Sequence, residues 1–171
     1  RMGRILYGYE GLDMPVLFTA KGLIHLQRAT KKLSHEEMER MEKKGWKERD
    51  IIRNYTVNRT ISMEWVNANP APGIITEEEN PDYFTYGLLA QKAKAFRKIT
   101  YKELYPGIDL VYSFAAGKKR GFEYSLIAKP GADISKVKMK YGGEVKNIRQ
   151  DKNGNLVIAS DAGSISVSAA Q

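Results

Sequence analysis

The sequence predicts an all-β domain, either an antiparallel β-sandwich or an open barrel, with about 9–12 short strands and one short helical excursion at about 34–44. Short runs rich in β-branched and aromatic residues recur at even spacing, and Pro-Gly and Asn-Gly turn signals separate them. The chain has 171 residues, of which 42% are apolar. This length favours a single domain over 1–171, which we expect to be a fragment of a longer multidomain protein.

Three runs in the first part of the chain predict a hairpin or short meander: 4–9, 15–20 and 22–27. In the third run, His25 shares one face of the strand with Leu23 and Gln27. Ile24 and Leu26 occupy the other face, so we expect His25 to lie on the wetter side as an ordinary strand residue. No partner for histidine catalysis or metal binding lies at a suitable spacing from it.

The segment 31–52 is predicted to be a helical insertion within this β-rich chain. Ser34 precedes Glu37 by three residues, which is the spacing of a capping box at a helix N-terminus. Gly45 can end the helix, so a helix over about 34–44 is expected. Apolar methionines lie on one face of that helix, which favours packing over a cofactor site.

After the insertion, the alternation of apolar and polar residues over 56–66 predicts a half-buried strand. One side of this strand carries five residues: Val57, Arg59, Ile61, Met63 and Trp65. The polar run 77–81 predicts a loop whose adjacent glutamates are solvated rather than metal-binding. An aromatic strand is expected at 82–87, and a basic loop at 90–98 leads to a strand from about Ile99.

The remaining chain predicts six strands with turns between them: 108–115, 121–128, 136–141, 145–150, 155–160 and 163–168. In the first of these strands, Ile108, Leu110 and Tyr112 share one face, and Asp109 lies on the other. We expect the Asp109 carboxylate to cap the preceding turn or to pair with a nearby lysine or arginine. Asp133 is expected to be a turn carboxylate as well.

Composition narrows the functional classes. The chain has no Cys and two His, which argues against thiolate and imidazole metal sites and against a cysteine nucleophile. It carries no calcium-loop, nucleotide-binding or hydrolase motif, so we expect no metal and no cofactor. No apolar run is long enough to cross a membrane. The excess of 28 Lys and Arg over 20 Asp and Glu gives a net charge of +8, which favours anionic partners.

Four stretches carry a resemblance to a known family: Asp82-Tyr-Phe-Thr-Tyr-Gly87, Tyr101 to Tyr112 with its Tyr-Pro-Gly-Ile-Asp core, Gly121-Phe-Glu-Tyr124 and Pro130-Gly-Ala-Asp133. They resemble a bacterial extracellular domain family of unknown function, found near the N-termini of large secreted proteins ahead of SBBP-type β-propeller repeats. The resemblance implies a secreted or cell-surface location and supplies no established active site. The first residues lack the features of a signal peptide, and we interpret them as a truncated start, so this lack does not argue against secretion.

These observations favour a non-enzymatic structural or adhesive module whose partners are neighbouring domains of the same chain, and nucleic acid is not expected to bind. One alternative is an anionic-polysaccharide-binding domain. Its polyanion patch would comprise Lys92, Lys94, Phe96, Arg97, Lys98, Lys118, Lys119 and Arg120, although solvated turn charges are the commoner reading of such clusters. A weaker alternative is a carbohydrate-active enzyme with Asp109 and Glu123 as its carboxylate pair.

Overall fold

The computed structural model describes residues 2–9, 15–86, 91–114 and 121–168, and for 79–86 and 91–95 it describes only the backbone. The described part of the chain forms twelve strands: β1 Ile5–Tyr9, β2 Val16–Thr19, β3 Gly22–Thr30, β4 Thr56–Trp65, β5 Gly73–Tyr86, β6 Gln91–Tyr105, β7 Ile108–Phe114, β8 Phe122–Ala128, β9 Met139–Gly143, β10 Asn147–Gln150, β11 Leu156–Ser160 and β12 Gly163–Val167. It also forms helices α1 (His35–Lys43) and α2 (Glu48–Asn54), and a 3-10 turn at Ile134–Lys136.

The chain forms two compact units. Unit 1 comprises Arg1–Leu26 and Ile61–Gly143, and unit 2 comprises Gln27–Thr60 and Glu144–Gln171. Strands β3 and β4 each contribute residues to both units. The single domain expected over 1–171 stays a prediction.

The larger sheet has nine strands in the order β8-β7-β6-β1-β2-β3-β4-β9, with β5 paired to β6 outside this path. The pairs β1–β2, β2–β3, β4–β9, β5–β6, β6–β7 and β7–β8 are antiparallel. One parallel bridge joins Tyr7 of β1 to Lys94 of β6. The described strands do not close into a barrel, and the predicted all-β, sandwich-like fold is confirmed.

Aromatic side chains fill the core of unit 1. Tyr112 is fully buried, and its hydroxyl accepts a hydrogen bond from Trp65 Nε1 at 2.9 Å. Tyr101 is equally buried and donates from its hydroxyl to the Thr19 carbonyl at 2.6 Å. The alternation predicted for β4 is confirmed, because Ile61, Met63 and Trp65 are buried. On β7 both faces are buried, and the predicted face of Ile108, Leu110 and Tyr112 is the one that packs into the main apolar cluster. The core therefore satisfies its polar groups while it buries large apolar surfaces.

Unit 2 contains both helices and the antiparallel sheet β10–β11–β12. Helix α1 begins with the predicted capping box, in which the Ser34 hydroxyl accepts from the Glu37 amide and the Glu37 carboxylate accepts from the Ser34 amide. The helix predicted over about 34–44 is therefore confirmed. Helix α2 was not predicted, because Lys47 supplies no side-chain cap and Ile51 is its one buried residue. It extends the helical insertion from the expected end at 52 to Asn54.

The structure contradicts the loop predicted at 77–81 and, over the described residues 91–98, the loop predicted at 90–98; residue 90 lies outside the described residues. Both segments belong to the long antiparallel pair of β5 and β6, in which Glu77 lies opposite Lys98. Opposite charges that face each other across two strands stabilise a polar strand pair, whereas the sequence shows only two separate charged runs. Pro81 lies at an irregularity in the pairing, where a missing backbone donor is tolerated.

Smaller differences concern strand boundaries. The aromatic strand expected at 82–87 is the last part of β5 over residues 82–86, and residue 87 lies outside the described residues. The strand expected at 136–141 begins later, as β9 (Met139–Gly143), because Asp133 caps a 3-10 turn at Ile134–Lys136. The other strands predicted after residue 108 agree with β7, β8, β10, β11 and β12 to within a few residues.

Gly22 marks a close approach of backbones in unit 1. A Cβ atom added to Gly22 would lie 1.9 Å from the Met63 carbonyl oxygen, which as backbone cannot turn away. We expect Gly22→Ala to destabilise the protein by about 3 kcal/mol in urea unfolding. The control is Gly73→Ala, whose Cβ would meet only the Lys102 side chain at 3.6 Å, and which should cost less than about 1 kcal/mol. Equal unfolding midpoints for the two variants would contradict the close approach.

Candidate functional site

Part of the basic patch predicted from the sequence lies outside the residues that the structure describes. Lys118, Lys119 and Arg120 lie outside the described residues. Lys92 and Lys94 lie on β6, where only the backbone is described. These five residues therefore stay a prediction as part of a polyanion site.

The described part of the patch is Phe96, Arg97 and Lys98 on β6. The Phe96 ring packs edge-on against Tyr7, with ring centres 5.3 Å apart. Two ion pairs tie the basic side chains to β5: Arg97 to Glu78 at 3.3 Å, and Lys98 to Glu77 at 3.2 Å. Glu77 and Glu78 on β5 thus supply the counter-charge for these two cations, and an anionic ligand would have to compete with them.

Asp109 is a buried carboxylate, with 7% of its surface exposed. Its Oδ1 accepts from the Glu103 amide at 2.8 Å, and its Oδ2 accepts from Lys102 Nζ at 2.5 Å. The Glu103 amide, and after it the Lys102 ammonium, hold the pKa of the Asp109 carboxyl below its ordinary value. The predicted role of Asp109, which is to cap backbone and pair with a basic side chain, is confirmed.

Glu103 holds the other side of the same turn. It has φ +50°, a left-handed conformation, within an irregularity of the β6–β7 pairing. Its carboxylate accepts from Lys129 Nζ at 2.6 Å and from the Gly107 amide at 2.9 Å, and these partners lower its pKa. We refer to Lys102, Glu103, Asp109 and Lys129 as the turn clasp, because together they hold the Tyr-Pro-Gly-Ile turn between β6 and β7.

Other acidic side chains also accept hydrogen bonds from backbone amides. Asp133 accepts from the Ser135 amide at 3.0 Å, which confirms it as a turn carboxylate. Asp151 accepts from the amides of Asn153 and Asn155 at 2.8 and 3.0 Å. These carboxylates therefore serve the local conformation of the chain.

The structure does not bring Asp109 and Glu123 together as a carboxylate pair. Asp109 lies opposite Ile127 in the β7–β8 ladder, whereas Glu123 lies opposite Ser113. The two acids are therefore four positions apart along the ladder, which corresponds to roughly 13 Å of strand. Glycosidase carboxylates stand about 5–10 Å apart, so this pair does not have their geometry.

His25 lies on the core side of β3, and the prediction that it faces the wetter side is wrong. It pairs with Val16 across β2 and β3, and its ring stacks on Phe122 with ring centres 6.3 Å apart. Burial lowers the pKa of His25 to about 4. The error has a physical cause, since the opposite face of β3 is also covered: Ile24 and Leu26 pack with Ile5 and Leu17 in a second apolar cluster.

A shallow depression of about 250 Å³ lies in unit 1, lined by Lys21, Glu64, Trp65 and residues 67–70. The Asn69 side chain forms two hydrogen bonds with backbone groups: it donates to the Glu103 carbonyl at 3.1 Å and accepts from the Ala71 amide at 3.0 Å. Among the described residues, no cluster of His, Asp and Glu could hold a metal ion. No helix in the described part is long and apolar enough to span a membrane.

Two residues of interest were missed by the sequence reasoning. Glu103 stands in a regular strand pattern, and no sequence signal reveals its left-handed backbone. Trp46 is 43% exposed just after α1. The signal that could have revealed Trp46 is its position within the basic run Lys43-Lys-Gly-Trp-Lys47.

The fold and the turn clasp define an all-β domain organised around a Tyr-Pro-Gly-Ile-Asp turn. The family model for a domain of unknown function (DUF7948) matches residues 2–170, so the chain belongs to this family. The comparison with curated proteins and the comparison with solved structures each found no match. The expectation of a domain of unknown function is therefore confirmed.

Removal of the Asp109 carboxylate should weaken the fold. We expect Asp109→Ala to lower the free energy of unfolding by about 1–3 kcal/mol at pH 7, because the Glu103 amide loses its acceptor and Lys102 its counter-charge. The Asp109 contribution is present above the ordinary pKa of 3.8 and is lost as the pH falls through the lower pKa of the folded state. Ser113→Ala, an exposed change on the same strand, is the control, and equal urea midpoints for the two variants would refute the role.

His25 should make stability fall in mild acid. Its pKa is lower in the folded state, so the unfolded chain binds the extra proton between pH 6.5 and about 4. The free energy of unfolding should decrease by on the order of 3 kcal/mol across that window and should lose no more from His25 below it. His25→Gln should remove this decrease, whereas His35→Gln, on the exposed start of α1, should retain it. A pH profile unaltered by His25→Gln would show that another group is responsible.

Proposed function

We propose that this domain is a non-enzymatic structural or adhesive module of a secreted or cell-surface bacterial protein, located ahead of SBBP-type β-propeller repeats. It functions by folding stably and by packing against neighbouring domains of the same chain. The observation that carries the proposal is the turn clasp, because the most buried carboxylate of the described chain is committed to a backbone amide and a lysine. A carboxylate held in this way stabilises a turn and stays ionised.

The location follows from the resemblance in sequence. The Tyr-Pro-Gly-Ile-Asp block resembles extracellular bacterial domains, and this block builds the turn that the clasp holds. The absence of Cys is compatible with an oxidising environment, since the fold is held by an aromatic core and by charged hydrogen bonds.

Two exposed isoleucines in unit 1, Ile75 and Ile127, support the packing role; we call the sheet face that carries them the outer face. Ile75 on β5 is 50% exposed and Ile127 on β8 is 56% exposed. Their neighbours Ile74 and Leu126 pack on the core, so strand alternation directs Ile75 and Ile127 to the opposite face. Large apolar side chains on an exposed sheet face favour contact with another protein surface.

The proposal predicts that this domain is more stable to heat within the intact parent protein than on its own. In the intact protein, the domain should unfold at a higher temperature than the 171-residue chain alone, because a neighbouring domain covers its outer face. The double change Ile75→Glu and Ile127→Glu should abolish this difference and leave the isolated chain's melting temperature nearly unchanged. Differential scanning calorimetry measures both quantities.

Ile148→Glu provides a matched control, since Ile148 is 49% exposed on β10 in unit 2. It should preserve the difference in melting temperature. Two results would overturn the proposal: equal melting temperatures for the intact protein and the isolated chain, or turnover of a polysaccharide substrate by the purified chain.

A further inference from the structure

The turn after α1 presents an aromatic residue in a fixed position. Gly45 has φ +86°, a left-handed conformation that favours glycine. The Gly45 amide donates to the Glu42 carbonyl at 2.8 Å, and the Trp46 amide donates to the Met41 carbonyl at 3.1 Å. These two hydrogen bonds form a Schellman motif, so the end of the helix holds the Trp46 backbone in place.

Trp46 remains 43% exposed in this arrangement. This exposure leaves a large part of the indole open to solvent. Helix α1 itself buries none of its residues, so Trp46 contributes to a surface rather than to a core.

Four basic residues lie close to Trp46 in the sequence: Lys43, Lys44, Lys47 and Arg49. Lys43 forms an ion pair with Glu39 at 2.7 Å. In the described part of the chain, no carboxylate lies within 4.0 Å of Lys44, Lys47 or Arg49. These three cations differ in this respect from Arg97 and Lys98, which are paired with glutamates.

An exposed indole, next in the sequence to cations that form no ion pair with a described carboxylate, fits one ligand chemistry best. A sugar ring has an apolar face of C–H groups that stacks on an indole, and an acidic sugar carries an anion at its edge within reach of an ammonium or guanidinium. Single-stranded nucleic acid is bound instead by a basic groove with successive aromatic residues, one for each base. A membrane surface requires a longer apolar face than one tryptophan supplies.

We propose that Trp46, Lys44, Lys47 and Arg49 form a binding site for an acidic polysaccharide. We refer to these four residues as the tryptophan turn. The inference rests on the adhesive part of the proposed function, to which it adds a ligand class and a site. It places recognition in unit 2, whereas the basic segment of β6 considered from the sequence belongs to unit 1.

The test is titration of the 171-residue chain with polygalacturonate and with heparin, at low and at physiological salt. Trp46→Ala should weaken binding about tenfold, the loss expected for one stacked ring. Trp46→Phe should retain most of the affinity, and circular dichroism should show that α1 persists in both variants. Tryptophan fluorescence gives a second readout, because Trp65 is buried and only Trp46 can contact the ligand.

Charge is tested with two triple variants that remove the same number of cations. The first, Lys44→Gln with Lys47→Gln and Arg49→Gln, should abolish binding at physiological salt. The control, Lys136→Gln with Lys138→Gln and Lys140→Gln, changes exposed lysines of unit 1 and should leave the affinity within about twofold. An equal loss in both triple variants would overturn the inference by showing non-specific attraction.

Three other results would also overturn it: no binding of either polysaccharide, equal binding by Trp46→Ala, or a stronger Trp46-dependent response to single-stranded DNA or to phosphatidylserine vesicles. None of these results bears on the calorimetric comparison of the intact protein with the isolated chain. A failed tryptophan turn would therefore leave the structural part of the proposed function standing. Equal melting temperatures of the intact protein and the isolated chain would, in turn, not alter a measured glycan affinity.

Discussion

The hydrogen bond from the Trp65 indole to the Tyr112 hydroxyl is the constraint on which the rest of unit 1 depends. It joins β4 and β7, which are not neighbours in the sheet, across a core where both side chains are almost fully buried. A slip of one residue in either strand would turn one partner to the other face and leave the remaining polar group unsatisfied. The pair therefore favours one register of β4 and of β7, and β7 carries Asp109 of the turn clasp.

The turn clasp shows how the fold holds a conformation that its sequence disfavours. Glu103 adopts a positive φ, which costs a non-glycine residue free energy. That cost is offset because its amide donates to Asp109 and its carboxylate accepts from Gly107 and Lys129. The compensation comes from groups of the turn itself and from Lys129, which follows β8, so protein groups alone account for the clasp.

The sequence predicted those elements whose signal is local and periodic. The alternation before Trp65, the paired faces around Leu110 and the capping box at Ser34 each depend on spacing within a single segment. The charged parts of β5 and β6 were predicted as loops, because their charges are compensated only across strands, between residues such as Glu77 and Lys98. His25 was placed on the wrong side for the same reason, since only tertiary structure shows that both faces of β3 are covered.

Net charge is therefore a poor guide to where this domain would bind an anion. The +8 of the whole chain is an average over cations whose surroundings differ. On β6, an incoming anion would have to displace glutamates that already face Arg97 and Lys98, and solvent screens what attraction is left. At the tryptophan turn, no described carboxylate lies within 4.0 Å of Lys44 or Lys47, and the exposed indole would add an apolar contact that salt does not screen. Local pairing, rather than the number of lysines in a segment, decides which basic surface is available to an acidic ligand.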